Sequence, residues 1–270
     1  MSQLSVDTVH HVISDIKAYH ADKKDNQYLQ DITIRLQRRL RKTGLVWENL
    51  VADTGYSSGE NYAFLESQGL QSYIAPHGTY KGGPDGFIYN KEQDHYLCPQ
   101  GQIIPFKKVF LDYRTKTKKK EYRSSSKVCK GCPLATSCLG NTAKEKKCSV
   151  TYYRAEYERA IARVNSKQGR YMKAKRQSTV EPVFGTLKEY LGLRRVNTLG
   201  IKQANKVMHV AAIAYNLKKY LKFVSKTAKS GARSLALVIF KIKSLFGHYS
   251  WILSGANFRV QWENSKERHS

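Results

Sequence analysis

The sequence predicts an α/β fold, interrupted by a cysteine-bearing insertion and followed by a basic helical part. Three observations carry this expectation. Residues 4–75 alternate strand-like and helix-like patterns, the mark of an α/β or mixed sheet. Residues 76–150 gather glycine, proline, tyrosine, lysine and all five cysteines with little helical period. From Thr151 onward the chain is helical and basic. The expected divisions are therefore 1–75, 76–150, 151–224 and a basic, amphipathic tail over 225–270.

In chain order, LSVDTVHHVISDIKAYHA carries β-branched residues in loose alternation and predicts two short strands or a hairpin. Leu29, Ile32, Leu36 and Leu40 recur at helical spacing, with Arg35, Arg38, Arg39, Arg41 and Lys42 around them and Gly44 as the stop. LVWENLVAD predicts a turn and a short buried strand ending at Asp53, followed by a sharp turn through Gly55. The next helix is expected to be capped near Ser58 and stopped at Gly69, with a strand over Gln71–Ala75. Beyond the insertion, TYYRAEYERAIARVNS, STVEPVFGTLK and IKQANKVMHVAAIAYNLKKYLKF predict helices. In the tail, Leu235, Val238, Ile239, Ile242, Leu245 and Phe246 form the stripe of an amphipathic packing or partner helix.

Charge bounds the partners. Lys plus Arg is 47 against 21 Asp plus Glu, a net +26 with a pI near 9.9. Such an excess speaks of partners, and a nucleic-acid backbone is the usual one because each neutralised phosphate releases counterions. No run approaches the roughly 18 apolar residues of a spanning helix, and no secretory signal opens the chain, so an intracellular protein without a membrane role is expected. In a reducing compartment, spaced cysteines bind metal more often than they form disulfides.

Two carboxylates invite a chemical reading. Asp53 lies at the end of a predicted strand before a glycine turn, where open α/β sheets place ligands. An aspartate before Thr-Gly is also a common turn former that bonds nearby amides. In STVEPVFGTLK, Ser178 and Glu181 have capping-box spacing, and Pro182 suits a first helical turn. Capping does not account for Gly185, one turn above Glu181 on the same face, with Lys188 continuing that stripe. Val180, Val183, Phe184, Leu187 and Leu191 form the apolar side. A carboxylate, a gap and a cation on one face suit a polyanion in close approach. Together, Asp53 and Glu181 offer hard oxygen ligands for Mg2+ or Mn2+, which in pairs activate an attacking oxygen and stabilise a leaving one in phosphoryl transfer.

VADTGYSSGENYAFLE followed far downstream by RQSTVEPVFGTLK, with a cysteine-bearing insertion between, resembles bacterial insertion-sequence transposases with an RNase H-like DDE catalytic domain. The likeness runs over about residues 4–223 and is to the branch whose insertion carries CPxG and CxxC elements. It implies an RNase H-like mixed sheet flanked by helices, and DNA cleavage and strand transfer dependent on Mg2+ or Mn2+. It implies, too, element ends and target DNA as partners, a homo-oligomer on DNA, and a cytoplasmic, nucleoid-associated location. Asp53 matches the family's second catalytic acid and Glu181 its third; Lys188 matches the helical lysine near the cleaved end. Arg176 falls one position from the commonest place of the family's arginine. The family's first acid and N-terminal helical region lie upstream of the segment that opens this sequence, and Asp7 is expected to be a second-strand residue. The resemblance thus implies an N-terminally truncated transposase, and with it the alternative of an inactive remnant that only binds DNA.

Cys98 in YLCPQG, Cys129 and Cys132 in KVCKGCPL, and Cys138 have the makings of a tetrahedral zinc site pinning a loose subdomain, with Cys148 as a spare. An iron-sulfur cluster or free buried thiols are the other readings of this spacing. The basic runs LQRRLRK, TKTKKKEYRSSSK, KAKR and LRR, interleaved with Tyr113, Tyr122 and Tyr171, fit phosphate tracking with occasional base stacking, Arg194 and Arg195 being the expected backbone contacts. A basic zinc protein that binds RNA is the third reading.

Overall fold

The computed structural model describes residues 2–140 and 142–246, with side chains described through 225. Two compact units divide the chain, Met1–Tyr215 and Asn216–Ser270.

The first unit opens with the expected hairpin. Strand β1 (Ser2–Val6) pairs antiparallel with β2 (Ile13–Ala18), Leu4 opposite Ile16. Asp7 makes the connection: its Oδ2 accepts from the amides of Val9 and His10 at 3.1 and 2.6 Å, and its own amide donates to the Val12 carbonyl at 2.8 Å. Asp7 is thus committed to the turn, using the local bonding that aspartate favours there.

Helix α1 (Leu29–Arg41) buries Leu29, Ile32 and Leu36 as its spacing predicts. It stops at Gly44, whose positive φ of 71° lets the Leu45 amide return to the Leu40 carbonyl at 3.0 Å. Strands β3 (Asn49–Val51) and β4 (Gln71–Tyr73) are parallel and joined through α2 (Gly59–Ser67). Ser58 caps α2 by accepting from the Asn61 amide at 3.1 Å. Leu50, Tyr62, Leu65, Leu70 and Ile74 form one core with Leu29 and with Ala160 of α5 (Arg154–Asn165).

The long helix α6 (Lys167–Glu189) and the start of α7 (Ile201–Phe246) cover β2. Val183 and Leu187 of α6 share a core with Ile13, Ile16, Met208, Ala211 and Tyr215. The Asn205 amide group of α7 acts like a strand neighbour, accepting from the Ala18 amide at 2.8 Å and donating to its carbonyl at 3.3 Å. In the second unit α7 runs on to Phe246. The side chains of the predicted apolar stripe at 235–246, and the tail beyond it, lie outside the described residues.

The segment read from sequence as an insertion holds a sheet that its composition did not announce. Residues 88–151 build a five-stranded antiparallel sheet, β5 (Ile88–Asn90), β6 (His95–Leu97), β7 (Ile103–Asp112), β8 (Thr117–Arg123) and β9 (Lys147–Thr151), in sequential order. Its core is Tyr96, Ile104, Tyr122 and Cys148. Between β8 and β9 stand two single-turn helices, α3 (Ser126–Cys129) and α4 (Ala135–Cys138), neither with a buried residue. The α/β part also differs from a single mixed sheet: among the described residues β1–β2 and β3–β4 are separate two-stranded sheets. The three-residue strands β3 and β4 pair only with each other. The whole is a mixed α/β architecture.

Candidate active site

Asp53 follows β3 and caps a 3-10 turn, Thr54–Tyr56, with Oδ1 accepting from the Thr54 amide at 2.7 Å. The turn-forming role is real, and it uses one oxygen; Oδ2 has no hydrogen-bond partner among the described residues. This turn packs against a second 3-10 turn, Asp25–Gln27. The buried Asn61 side chain ties the two, donating to the carbonyls of Asn26 and Tyr56 at 2.8 and 2.9 Å. Asp25 Oδ1 accepts from Gln3 at 2.7 Å, and its Oδ2 lies where a Cβ on Gly55 would come within 3.2 Å. A side chain at position 55 would therefore crowd the Asp25 carboxylate, which would have to shift by a few tenths of an ångström. Burial, then the negative charges of Asp25 and Asp53, pushes the Tyr56 phenol above its ordinary range. Both carboxylates thus flank one tyrosine. Sequence reasoning missed Gln3, Asp25 and Asn61, whose partnerships join distant segments; Gly55 beside Asp53 was the one local signal.

Glu181 is exposed, on the outer side of α6, and forms no hydrogen bond or ion pair among the described residues. The capping-box reading is overturned. Helix α6 begins at Lys167 with Ser166 as its cap, accepting from Gly169 at 3.0 Å, and Ser178 is interior, its hydroxyl donating to the Lys175 carbonyl at 3.0 Å. Pro182 therefore sits inside a helix, where the missing N–H and ring clash cost about 3 kcal/mol, with Gly185 adding about 1 kcal/mol relative to alanine. Burial of Met172, Thr179, Val183 and Leu187 carries the helix through this weak turn.

Gly185 and Gly169 differ in kind. A Cβ on Gly169 would strike the Arg163 carbonyl at 2.2 Å, so the α5–α6 junction demands glycine there. A Cβ on Gly185 meets nothing within 4 Å. Nothing among the described residues requires the gap beside Glu181. Gly185→Ala is expected to stabilise the fold by about 0.5–1 kcal/mol in urea denaturation while weakening DNA binding or cleavage. A stabilised variant with unchanged DNA affinity and cleavage would remove the reason for the gap.

Helix α6 packs beside β3 and β4, the elements that precede and follow the Asp53 turn. No hydrogen bond or ion pair joins Asp53 to Glu181, and among the described residues no three His, Cys, Asp or Glu side chains are grouped closely enough to hold a metal ion. The donor chemistry of Asp53 Oδ2 and Glu181 suits a hard divalent cation. Of the predicted DNA contacts, Lys188 is exposed with its ammonium 5.7 Å from the Phe184 ring, and Arg195 is exposed. Arg176 is half-buried, and Arg194 is paired with Glu189 at 2.7 Å. Two arginines of α1 are spent internally: Arg39, in the first basic run, and Arg35, just before that run, both bind the buried Asp15. Cys98, Cys129, Cys132 and Cys138 line one cavity of about 550 Å³ without forming a metal-binding group, and Cys148 is buried in the sheet core.

The segment that carries Glu181, Lys188 and all five cysteines is also the part of the chain with a recognisable relative. Residues 97–221 match the family model described as a transposase DDE domain. This match supports a DDE transposase and, with it, DNA as substrate. Arg176, Arg194 and Arg195 fall within the matched transposase segment, and Asp53 precedes it. No curated protein and no solved structure matches the chain. Among the described residues no helix is long and apolar enough to cross a membrane.

Proposed function

We propose that this protein is a DNA transposase that cleaves phosphodiesters and joins the exposed 3′-hydroxyl to target DNA. The observation that carries the reading is the transposase DDE match over 97–221, which encloses Glu181 and the lysine two turns on. In this reading residues 1–75 and 151–224 form the catalytic domain, with 76–150 inserted, and copies of the chain assemble on element ends.

Asp53 and Glu181 hold Mg2+ or Mn2+, which when bound supplies activation of the attacking oxygen and charge stabilisation of the leaving one. The chain's own residues do the rest. The bond from the Thr54 amide fixes one oxygen of Asp53 and so orients the other. The Asn61 bonds and the Gln3–Asp25 pair hold that turn against the hairpin. Gly185 leaves room for the DNA strand beside Glu181, while Lys188 and Arg195 neutralise phosphates and Arg176 lies at the edge of that path. Arg194 reaches DNA by exchanging Glu189 for phosphate.

A second reading, a protein that binds DNA without cutting it, is favoured by one observation: among the described residues no three His, Cys, Asp or Glu side chains, Asp53 and Glu181 included, are grouped to hold a metal ion. One experiment separates the two. Duplex DNA carrying the element ends is incubated with the protein in Mg2+ or Mn2+ while binding is followed across salt. The transposase reading expects nicking at the ends, and binding without any nick favours the second. Both readings expect affinity to fall steeply with salt, and Lys188→Ala to weaken it uniformly across sequences and lower the salt slope by about 1. Affinity that is flat with salt, or that favours RNA, would contradict both.

A further inference from the structure

We infer that the insertion contains a structural zinc site formed by the thiolates of Cys98, Cys129, Cys132 and Cys138, and that this ion holds the β8–β9 connection onto the sheet. The inference stands apart from the catalytic reading.

Four of the five cysteines, brought from a β-turn, a one-turn helix with its following turn, and a second one-turn helix, line a single cavity. Cys148 instead packs in the sheet core with Tyr96, Ile104 and Tyr122. The two turns are built alike. In Cys98–Gly101 the Gly101 amide donates to the Cys98 carbonyl at 2.8 Å, and in Cys129–Cys132 the Cys132 amide donates to the Cys129 carbonyl at 3.3 Å. Each contains a glycine with φ above 70°, Gly101 and Gly131, a conformation that disfavours any side chain. Lys130 and Lys146 line the cavity and offset the charge of a tetrathiolate, and Ser124 Oγ lies 3.1 Å from Cys129 Sγ, ready to donate to a thiolate.

A need for the ion comes from packing. The connection from Ser124 to Lys146 has two single-turn helices without a buried residue, so no core of its own fixes it. Its ties to the sheet are few, chiefly the bonds between Ser124 and Lys146 at its neck, the Lys146 ammonium reaching the Cys138 carbonyl at 2.6 Å, and the Arg123–Glu145 ion pair. As described, the four cysteines are among the residues lining a space of about 550 Å³ and are not grouped as a metal site. Binding thus requires the Cys129–Cys138 turns to close toward the Cys98 turn. Tetrahedral zinc takes four thiolates from such paired turns, and the four protons leave to solvent.

Metal analysis of the purified full chain tests this. The expected result is about one zinc per chain, lost on Cys98→Ser, Cys129→Ser, Cys132→Ser and Cys138→Ser and kept in Cys148→Ala. To keep the test independent of how the serine variants fold, the wild-type chain is also stripped with chelator and titrated with Co2+. Tetrahedral thiolate absorption should saturate at about one equivalent, and limited proteolysis should show 124–146 cut faster without metal and protected again by zinc. Iron with cluster absorption, disulfides among the four, retention of zinc in Cys98→Ser, or proteolysis indifferent to metal would overturn the inference.

Discussion

Asp53→Asn and Glu181→Gln are each expected to reduce metal-dependent DNA cleavage by about 1000-fold or more, with the fold and the DNA affinity retained. The structure makes both substitutions clean. Asparagine at position 53 still offers an oxygen to the Thr54 amide, and asparagine caps a helical turn as well as aspartate does. Glu181 is exposed and unpaired, and glutamine has nearly the same helix propensity, so its replacement disturbs no contact. What each variant loses is the charge that a divalent cation requires. Endonuclease assays in Mg2+ and Mn2+, run with urea denaturation of the same samples, check both halves. Full cleavage in Glu181→Gln would leave that residue as one more surface glutamate.

The second large effect is on stability and falls on an arginine of the basic side predicted for α1. Arg35→Ala is expected to destabilise the protein by about 2–3 kcal/mol while leaving the salt dependence of DNA binding unchanged. Asp15 is only 1% exposed, and the Arg35 guanidinium binds both its oxygens, Nε at 3.2 and 3.0 Å. Removing one partner of a buried pair costs about 3–5 kcal/mol, here reduced because Arg39 remains 3.0 Å from the other side of the carboxylate. A salt slope lowered by about 1 with unchanged stability would instead make Arg35 a phosphate contact.

The pattern of what could be read from sequence has physical causes. The β1–β2 hairpin, α1 with its Gly44 stop, and the Ser58–Gly69 limits of α2 were legible because period, cap and stop agree locally. The five-stranded sheet was not. Three-residue strands carry no usable alternation, and β8, TKKKEYR, reads as a charge run because cross-strand ion pairs support it, Lys119 with Asp112 and Lys147 with Glu121. The S-x-x-E-P signal in α6 misled for the opposite reason, since tertiary burial of Thr179 and Val183 carries the helix through a proline that local rules place at its start. At the candidate site, Asp53 and Glu181 were legible as residue types in context. Their support was not, because Gln3, Asp25 and Asn61 reach the Asp53 turn from other segments.

The central claim is that Asp53 and Glu181 share a divalent metal, and iron-directed cleavage of the protein's own backbone tests it without relying on turnover. Fe2+ substituting for Mg2+, with ascorbate and peroxide, generates hydroxyl radicals that cut the chain next to the bound ion. With DNA bound, the account predicts cuts around both position 53 and position 181, suppressed together by excess Mg2+ and lost at both positions in Asp53→Asn. Cuts at one position without the other, or at neither, would contradict it.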